Sequence, residues 1–243
     1  MKLVFIRHGD PDYEHDALTG QGVHEAELLN NRVRKMKIDK CFVSPLGRAK
    51  ETAEIGLRGT GIEPVEYEWL KEFPPLIDRP DREARKSICW DWLPTDWTVR
   101  DCFFDMDTWT KDPLMEAGHV GEEYERVCKA FDALLAENGY VRSGRMYKAV
   151  RPNTDTLVFF CHYGLTCTLL SHLINVPPML LWHGVCMAPT SLTIVNTEER
   201  REGDVYFRAS AIGDTSHIYA AGEEPSFHAR FCECWTNTDE RHD

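Results

Sequence analysis

The sequence predicts an α/β fold: a three-layer α/β/α sandwich on a mostly parallel central sheet, with an insertion acting as a cap. Three observations carry this expectation. Short, fully apolar runs at Leu3-Val4-Phe5-Ile6, Cys41-Phe42-Val43 and Leu157-Val158-Phe159-Phe160-Cys161 read as strands buried on both faces. Segments of helical period lie between them, which favours parallel strands joined by crossovers. From about residue 73 to 118 the periodicity breaks, in a stretch that holds Trp90, Trp92, Trp97 and Trp109 of the chain's seven Trp. That stretch reads as a cap on the sheet rather than a separate domain, so 1–243 is expected to form one domain.

Taken in order, the first strand ends abruptly in Arg7-His8-Gly9, and the polar, proline-broken stretch Asp10 to Asp16 reads as a loop. Thr19 reads as an N-cap. Val23, Ala26, Leu29, Val33 and Met36 then predict a helix through about Lys35. The second strand runs into Ser44-Pro45, an N-cap followed by Pro at the first helical position, with Arg48 in the first turn behind it. Ile62 to Tyr67 reads as a third strand leading into Trp69-Leu70-Lys71-Glu72. Beyond the insertion, Tyr124, Val127, Phe131, Leu134 and Leu135 predict an amphipathic helix over 122–137. The strand at Leu157 ends on His162, and a helix carrying Leu169, Leu170, Leu173 and Ile174 follows Gly164. Ser191 to Asn196 and Val205 to Ala209 predict a hairpin, and the polar stretch from Glu223 is expected to be loosely held.

Composition narrows the partners. Hydrophobic residues make up 42% and charged residues 28%, with a formal net charge of −12. Nucleic acids and anionic membranes are bound through clustered Lys and Arg, so neither is expected here. No apolar run approaches the roughly 18 residues that span a bilayer. The first strand begins at once, with no charged leader or apolar signal core. Nine Cys is an odd number, and several sit inside apolar runs, which fits free thiols in a reducing, cytoplasmic setting. Cys232-Glu233-Cys234, with His228 and His242, has a one-residue spacing unlike the two to four of zinc sites. No metal and no cofactor are expected, and the oligomeric state is not specified.

Three apolar strands thus deliver polar residues at their C-terminal ends: Arg7 and His8, then Arg48 one turn on, then His162. Ligands of open α/β sheets bind beyond such ends. Two Arg and two His around one point suit a tetrahedral dianion, since Arg offers bidentate, charge-assisted bonds. Positive charge nearby disfavours the imidazolium, so one His keeps a free lone pair and can attack phosphorus. The leaving alkoxide then needs a carboxylic acid. Glu72 is the leading candidate, with Glu68, Asp10 and Asp12 competing.

Arg7-His8-Gly9, Leu18-Thr19-Gly20-Gln21-Gly22, Ser44-Pro45-Leu46-Gly47-Arg48-Ala49-Lys50-Glu51-Thr52-Ala53 and His162-Tyr163-Gly164, in this order, resemble the signatures of the histidine phosphatase superfamily. The phosphoglycerate mutase-like branch is the most similar. Leu70-Lys71-Glu72, Gly121-Glu122-Glu123 and Gly213 to Ile218 are also similar to it, and the resemblance covers nearly all of the chain except the Trp-rich insertion. It implies His8 as the phosphorylated nucleophile, Arg7, Arg48 and His162 as phosphoryl-binding groups, and Glu72 as acid and base. The candidate catalytic residues are therefore His8, Glu72 and His162, and the candidate phosphate-binding residues are Arg7, Arg48 and Thr19. Two departures lie in the pocket wall: no Asn precedes Asn30, and Phe73-Pro74-Pro75 follows Glu72.

The reaction expected is metal-independent hydrolysis of a small phosphomonoester. A phosphoglycerate-type mutase is the alternative, with Arg79, Arg82, Arg85, Lys86 and Arg100 as possible carboxylate-holding cations. A phosphate- or phosphopeptide-binding module without turnover is a second alternative, and a divalent-metal site at His8, Asp10, Asp12, His15 and Asp16 a third.

Overall fold

The computed structural model describes residues 1–82 and 85–242. In chain order it contains β1 (Lys2–Arg7), the small hairpin β2 (Pro11–Asp12) and β3 (Ala17–Leu18), α1 (Gly20–Val33), β4 (Lys40–Val43), α2 (Gly47–Gly56) and β5 (Val65–Glu66). The insertion follows, with β6 (Leu76–Ile77), β7 (Ser87–Ile88), α3 (Pro94–Trp97) and α4 (Pro113–Ala117). Next come α5 (Val120–Glu137), β8 (Tyr140–Ser143), β9 (Met146–Ala149), β10 (Thr156–Cys161), α6 (Tyr163–Ile174) and α7 (Pro178–Gly184). The long hairpin β11 (Leu192–Arg201) and β12 (Asp204–Asp214) leads to α8 (Ser216–Tyr219).

Eight strands form one mixed sheet in the order β5-β4-β10-β1-β11-β12-β9-β8. β5, β4, β10 and β1 run parallel, and β11, β12, β9 and β8 pair antiparallel beyond them. The parallel half carries the site. Although β1, β4 and β10 are apolar along their centres, alternate residues serve different layers, because successive side chains leave opposite faces of a pleat. Leu3, Phe5, Phe42, Leu157 and Phe159 face a cluster with α5, α6 and the insertion. Val4, Ile6, Val43, Val158 and Phe160 face a cluster built with Leu29 and Val33 of α1 and Ala53 of α2. On the first face Phe5 and Phe42 both stack on Phe159, with centroids 5.0 and 5.1 Å away. Trp92, Trp97, Phe103 and Trp109 of the insertion join this same cluster, and Trp109 meets Trp182 of α7 edge-on at 5.8 Å.

Four details differ from the sequence reading. The strand expected over Ile62 to Tyr67 shrinks to Val65–Glu66, both exposed, because Pro64 withholds a ladder donor and nothing covers its face. α2 starts at Gly47, with Leu46 at the cap position making no side-chain bond, so Ser44 does not cap it. The hairpin β8–β9, too short and too polar to show a period, was not anticipated; Gly144 makes its turn at φ +60°. The segment after Glu223 folds back over the body instead of trailing away, as described below. All nine Cys are free thiols, and Cys41, Cys89, Cys128, Cys161 and Cys167 are buried. No helix among the described residues is long and apolar enough to cross a membrane.

Phe159 is fully buried at the centre of the aromatic stack, with contacts on both sides. Phe159→Ala is expected to lower the unfolding free energy by about 3–5 kcal/mol, read from denaturant titration at unchanged m-value.

Candidate active site

The site grows from two adjacent strand ends. β1 and β10 pair in parallel with Arg7 opposite Cys161, and the His8 N–H donates to the Cys161 carbonyl at 3.0 Å. His8 and His162 therefore leave neighbouring strands at one level, with ring centroids 5.1 Å apart. Arg48 reaches the same point from the first turn of α2. All four are buried: Arg7 is 7%, His8 2%, Arg48 9% and His162 0% exposed.

His8 Nδ1 lies 2.7 Å from the Gly9 carbonyl oxygen, which can only accept, so Nδ1 carries the hydrogen and Nε2 holds the lone pair. Burial, then His162 and Arg7, hold the His8 pKa well below its ordinary value, so the ring is neutral. His162 is neutral for the same reason, with burial first and Arg48 and Arg7 next. Its Nε2 lies 2.7 Å from Ser44 Oγ, which itself accepts from the Leu46 N–H at 3.3 Å. In the tautomer in which the Ser44 hydroxyl donates to Nε2, His162 Nδ1 carries the hydrogen. That Nδ1 has no partner, and neither do the Nε atoms of Arg7 and Arg48. Each guanidinium is anchored at its other end: Arg7 Nη1 donates to the Met187 carbonyl at 2.7 Å, and Arg48 Nη1 to Asp16 at 2.5 Å. Three buried N–H donors without partners thus gather beside a neutral imidazole, a geometry that fits a tetrahedral oxyanion.

Glu72 stands across the cavity. Its Oε1 accepts from the Phe73 and Leu165 N–H groups, both at 2.8 Å, and Oε2 accepts only from the Gly164 N–H, at 3.2 Å. Burial raises its pKa, and those N–H donors oppose the rise without cancelling it. Oε2, with the single longer contact, is the oxygen with room for a proton. The other carboxylates are committed elsewhere. Glu68 pairs with Lys71, Asp12 with His15, and Asp10 with Thr19 and His228.

Thr19 is not brought to this point. Its hydroxyl accepts from the Gly22 N–H at 3.0 Å and donates to Asp10 at 2.8 Å, so its bonding capacity is spent at the cap of α1. Among the described residues no three or more His, Cys, Asp or Glu stand together so as to hold a metal ion. Asp16, one member of the suspected metal loop, is the partner of Arg48. In the Cys232 region, Cys232 instead meets His242 Nδ1 at 3.3 Å, and Cys234 meets Thr236.

Several contributors escaped the sequence reading. Ser44 carried a signal, but the Pro after it suggested a helix cap rather than a histidine partner. Gly164 is the tight spot of α6: a Cβ there would lie 2.7 Å from Trp90 and 2.9 Å from Glu72 Oε1. Thr190 adopts a left-handed φ of +58°, and its N–H reaches the carbonyls of Arg7 and His8 at 3.1 and 3.2 Å. His217 holds the Thr190 hydroxyl at 3.0 Å. The tail closes the mouth: Ser226 N–H donates to Glu25, His228 lies 3.3 Å from Asp10, and Ala229, Phe231 and Arg241 line the cavity. That cavity measures about 390 Å³, and Arg7, Arg48, Glu72, Trp90 and Tyr163 form its floor and walls.

Comparison with known proteins agrees with this geometry. Residues 3–205 match the family model of the histidine phosphatase superfamily, branch 1. The chain belongs to that superfamily. Like other histidine phosphatases it has curated relatives, among them an adenosylcobalamin/alpha-ribazole phosphatase of Salmonella typhimurium, 22% identical over 204 residues covering 75% of this chain and 84% of the relative. Its fold is also that of a phosphoserine phosphatase from Entamoeba histolytica solved with phosphoserine, with TM-score 0.60 and 18% identity over 89% of this chain and 98% of that one. A mycobacterial glucosyl-3-phosphoglycerate phosphatase gives TM-score 0.56 at 19% identity, over 87% and 98% of the two chains.

Two outcomes follow from the site. His8 and His162 are neutral in the folded state, with pKa values below the ordinary 6.5, and His217 is held at about 4 by burial. The unfolded chain then binds more protons below pH 6.5, so stability is lost as pH falls through that value, by up to about 1.4 kcal/mol per pH unit for each ring. Glu72 and Glu25, with raised pKa values, act in the opposite sense just above 4.5, but they are two groups against five, since His183 and His228 are also lowered. Urea titrations at pH 7 and pH 5 are expected to show the lower stability at pH 5, with a shallower slope in His8→Asn. Gly164→Ala should shift Trp90 and Glu72 and lower kcat by about 10²-fold with the fold retained, read by steady-state kinetics beside circular dichroism.

Proposed function

We propose that the chain hydrolyses a small phosphomonoester through a phosphohistidine at His8. The observation that carries this is the buried, neutral His8 with Nδ1–H fixed on Gly9, in the company of three unpartnered N–H donors. In the first step His8 Nε2 forms a bond to phosphorus and the P–O bond to the alcohol breaks. The Nε atoms of Arg7 and Arg48 and the Nδ1–H of His162 hold the non-bridging oxygens, whose charge they offset. The leaving alkoxide takes the proton from Glu72. As the ring becomes cationic, the Gly9 carbonyl stabilises its Nδ1–H. In the second step a water attacks phosphorus, gives its proton to the Glu72 carboxylate, and the N–P bond breaks to release phosphate and the free imidazole.

The phosphatase names of the relatives support transfer to water over return of the phosphoryl group to a second hydroxyl. A buried carboxyl group beside the cradle, its pKa raised by burial, supports turnover over silent binding. The free and largely buried thiols support a cytoplasmic location.

His8→Ala is expected to lower turnover of an aryl phosphate by about four orders of magnitude or more. In single-turnover measurements of the first step, release of the alcohol, Glu72→Gln is expected to cost about 10²–10⁴-fold on an alkyl phosphate and far less on p-nitrophenyl phosphate, whose leaving group needs no proton. Wild-type rates in the His8 variant, or equal losses on both substrates in the Glu72 variant, would rule out the assigned roles.

A further inference from the structure

Beside the catalytic cavity lies a second, larger one of about 580 Å³. The two adjoin, sharing Asp91, Tyr163, Trp182, Ala229 and Phe231 as common walls. The second cavity alone is the size of a small-molecule site, and the phosphoryl group with a short chain needs only the first. Its walls are held in place before any ligand arrives. Trp182 donates its indole N–H to the Gly164 carbonyl at 3.0 Å. The Trp92 N–H donates to His183 Nε2 at 3.0 Å, and His183 stacks on Trp97 with centroids 5.0 Å apart. Leu93, Val185 and Phe231 add apolar surface.

The charges around this cavity are already matched. Arg79, 5% exposed, is tied to Asp81 and Asp91, and Arg230 to Glu233. A carboxylate entering there would have to compete with acids that these cations already hold, whereas a flat apolar ring would meet aromatic faces and edges. The contrast separates two kinds of leaving alcohol.

We infer that the second cavity receives the distal part of the leaving alcohol, and that this part is a planar aromatic or heteroaromatic group. The substrate class is then phosphomonoesters of ring-bearing alcohols rather than of small hydroxy acids. This deepens the hydrolase reading and rests on it, but its test does not depend on turnover.

The test is equilibrium binding of 2-(1-naphthyl)ethyl phosphate and of ethyl phosphate to the His8→Ala protein, by calorimetry. The naphthyl ester is expected to bind about tenfold tighter or more. Gly184 and Leu93 line the second cavity and not the first, and a Cβ on Gly184 would meet nothing within 4 Å. Gly184→Phe, placed in the His8→Ala background, should plug the cavity and reduce the gap to about threefold or less. Leu93→Trp provides the same plug from the opposite element if the first variant does not fold. Equal affinities of the two esters, or a gap that survives both plugs, would overturn the assignment. Hydrolysis of ethyl phosphate by the unaltered protein tests the hydrolase reading separately: its failure leaves the affinity gap measurable.

Discussion

Parallel pairing of β1 with β10, in the register that sets Arg7 opposite Cys161, places two imidazoles side by side at the end of an otherwise apolar sheet. The site depends on that register. A slip of one residue would turn His8 to the opposite face of the sheet, away from His162 and from the cavity that Glu72 closes. The register is itself secured by burial on both sides: Phe5 and Phe159 stack on one face while Val4, Val158 and Phe160 pack on the other. Thr190, in a conformation few non-glycine residues adopt, then holds the carbonyls of Arg7 and His8 from the hairpin side. The antiparallel half of the sheet thus acts as a brace for the parallel half.

Much of this was legible in the chain. Arg7-His8-Gly9 and His162 each end a run that only a doubly buried strand explains, and Ser44 to Arg48 follows a third, so one edge had to receive them all. Glu72 was harder, since position in sequence could not separate it from Glu68, Asp10 or Asp12. The structure separates them by where their oxygens are spent, a matter of backbone N–H geometry around Gly164 that no spacing encodes. Thr19 shows the converse. Its cap role was readable from the helix pattern, but that role consumes the hydroxyl that a phosphate would need. The tail was misread because its polarity resembles an unanchored end. Its anchors, Ser226 on Glu25 and His228 on Asp10, join positions some two hundred residues apart in sequence.

The insertion and the tail solve one problem together. A cradle of two Arg and two neutral His operates best when water is scarce, because fixed dipoles count for more in a dry site. The sheet end alone leaves the cradle open. Trp90 and Tyr163 wall it on the side of the insertion, and Phe231 and Arg241 on the side of the tail. The insertion's tryptophans share the aromatic cluster beneath the sheet face, so this wall is as fixed as the core itself.

The two-residue strand β5 has a bearing on how the molecule behaves in a crowd of its own kind. An exposed sheet margin is a template on which another chain can add a strand, and long flat margins invite such growth. Here the margin beside the site strands is Val65–Glu66, too brief to register a partner, with Glu66 drawn to Lys50 of α2. The opposite margin, Tyr140–Ser143, is only four residues long. The margin beside the site strands therefore offers little purchase for assembly by edge addition, whereas β12 beyond Val205 has no strand partner on its outer side among the described residues.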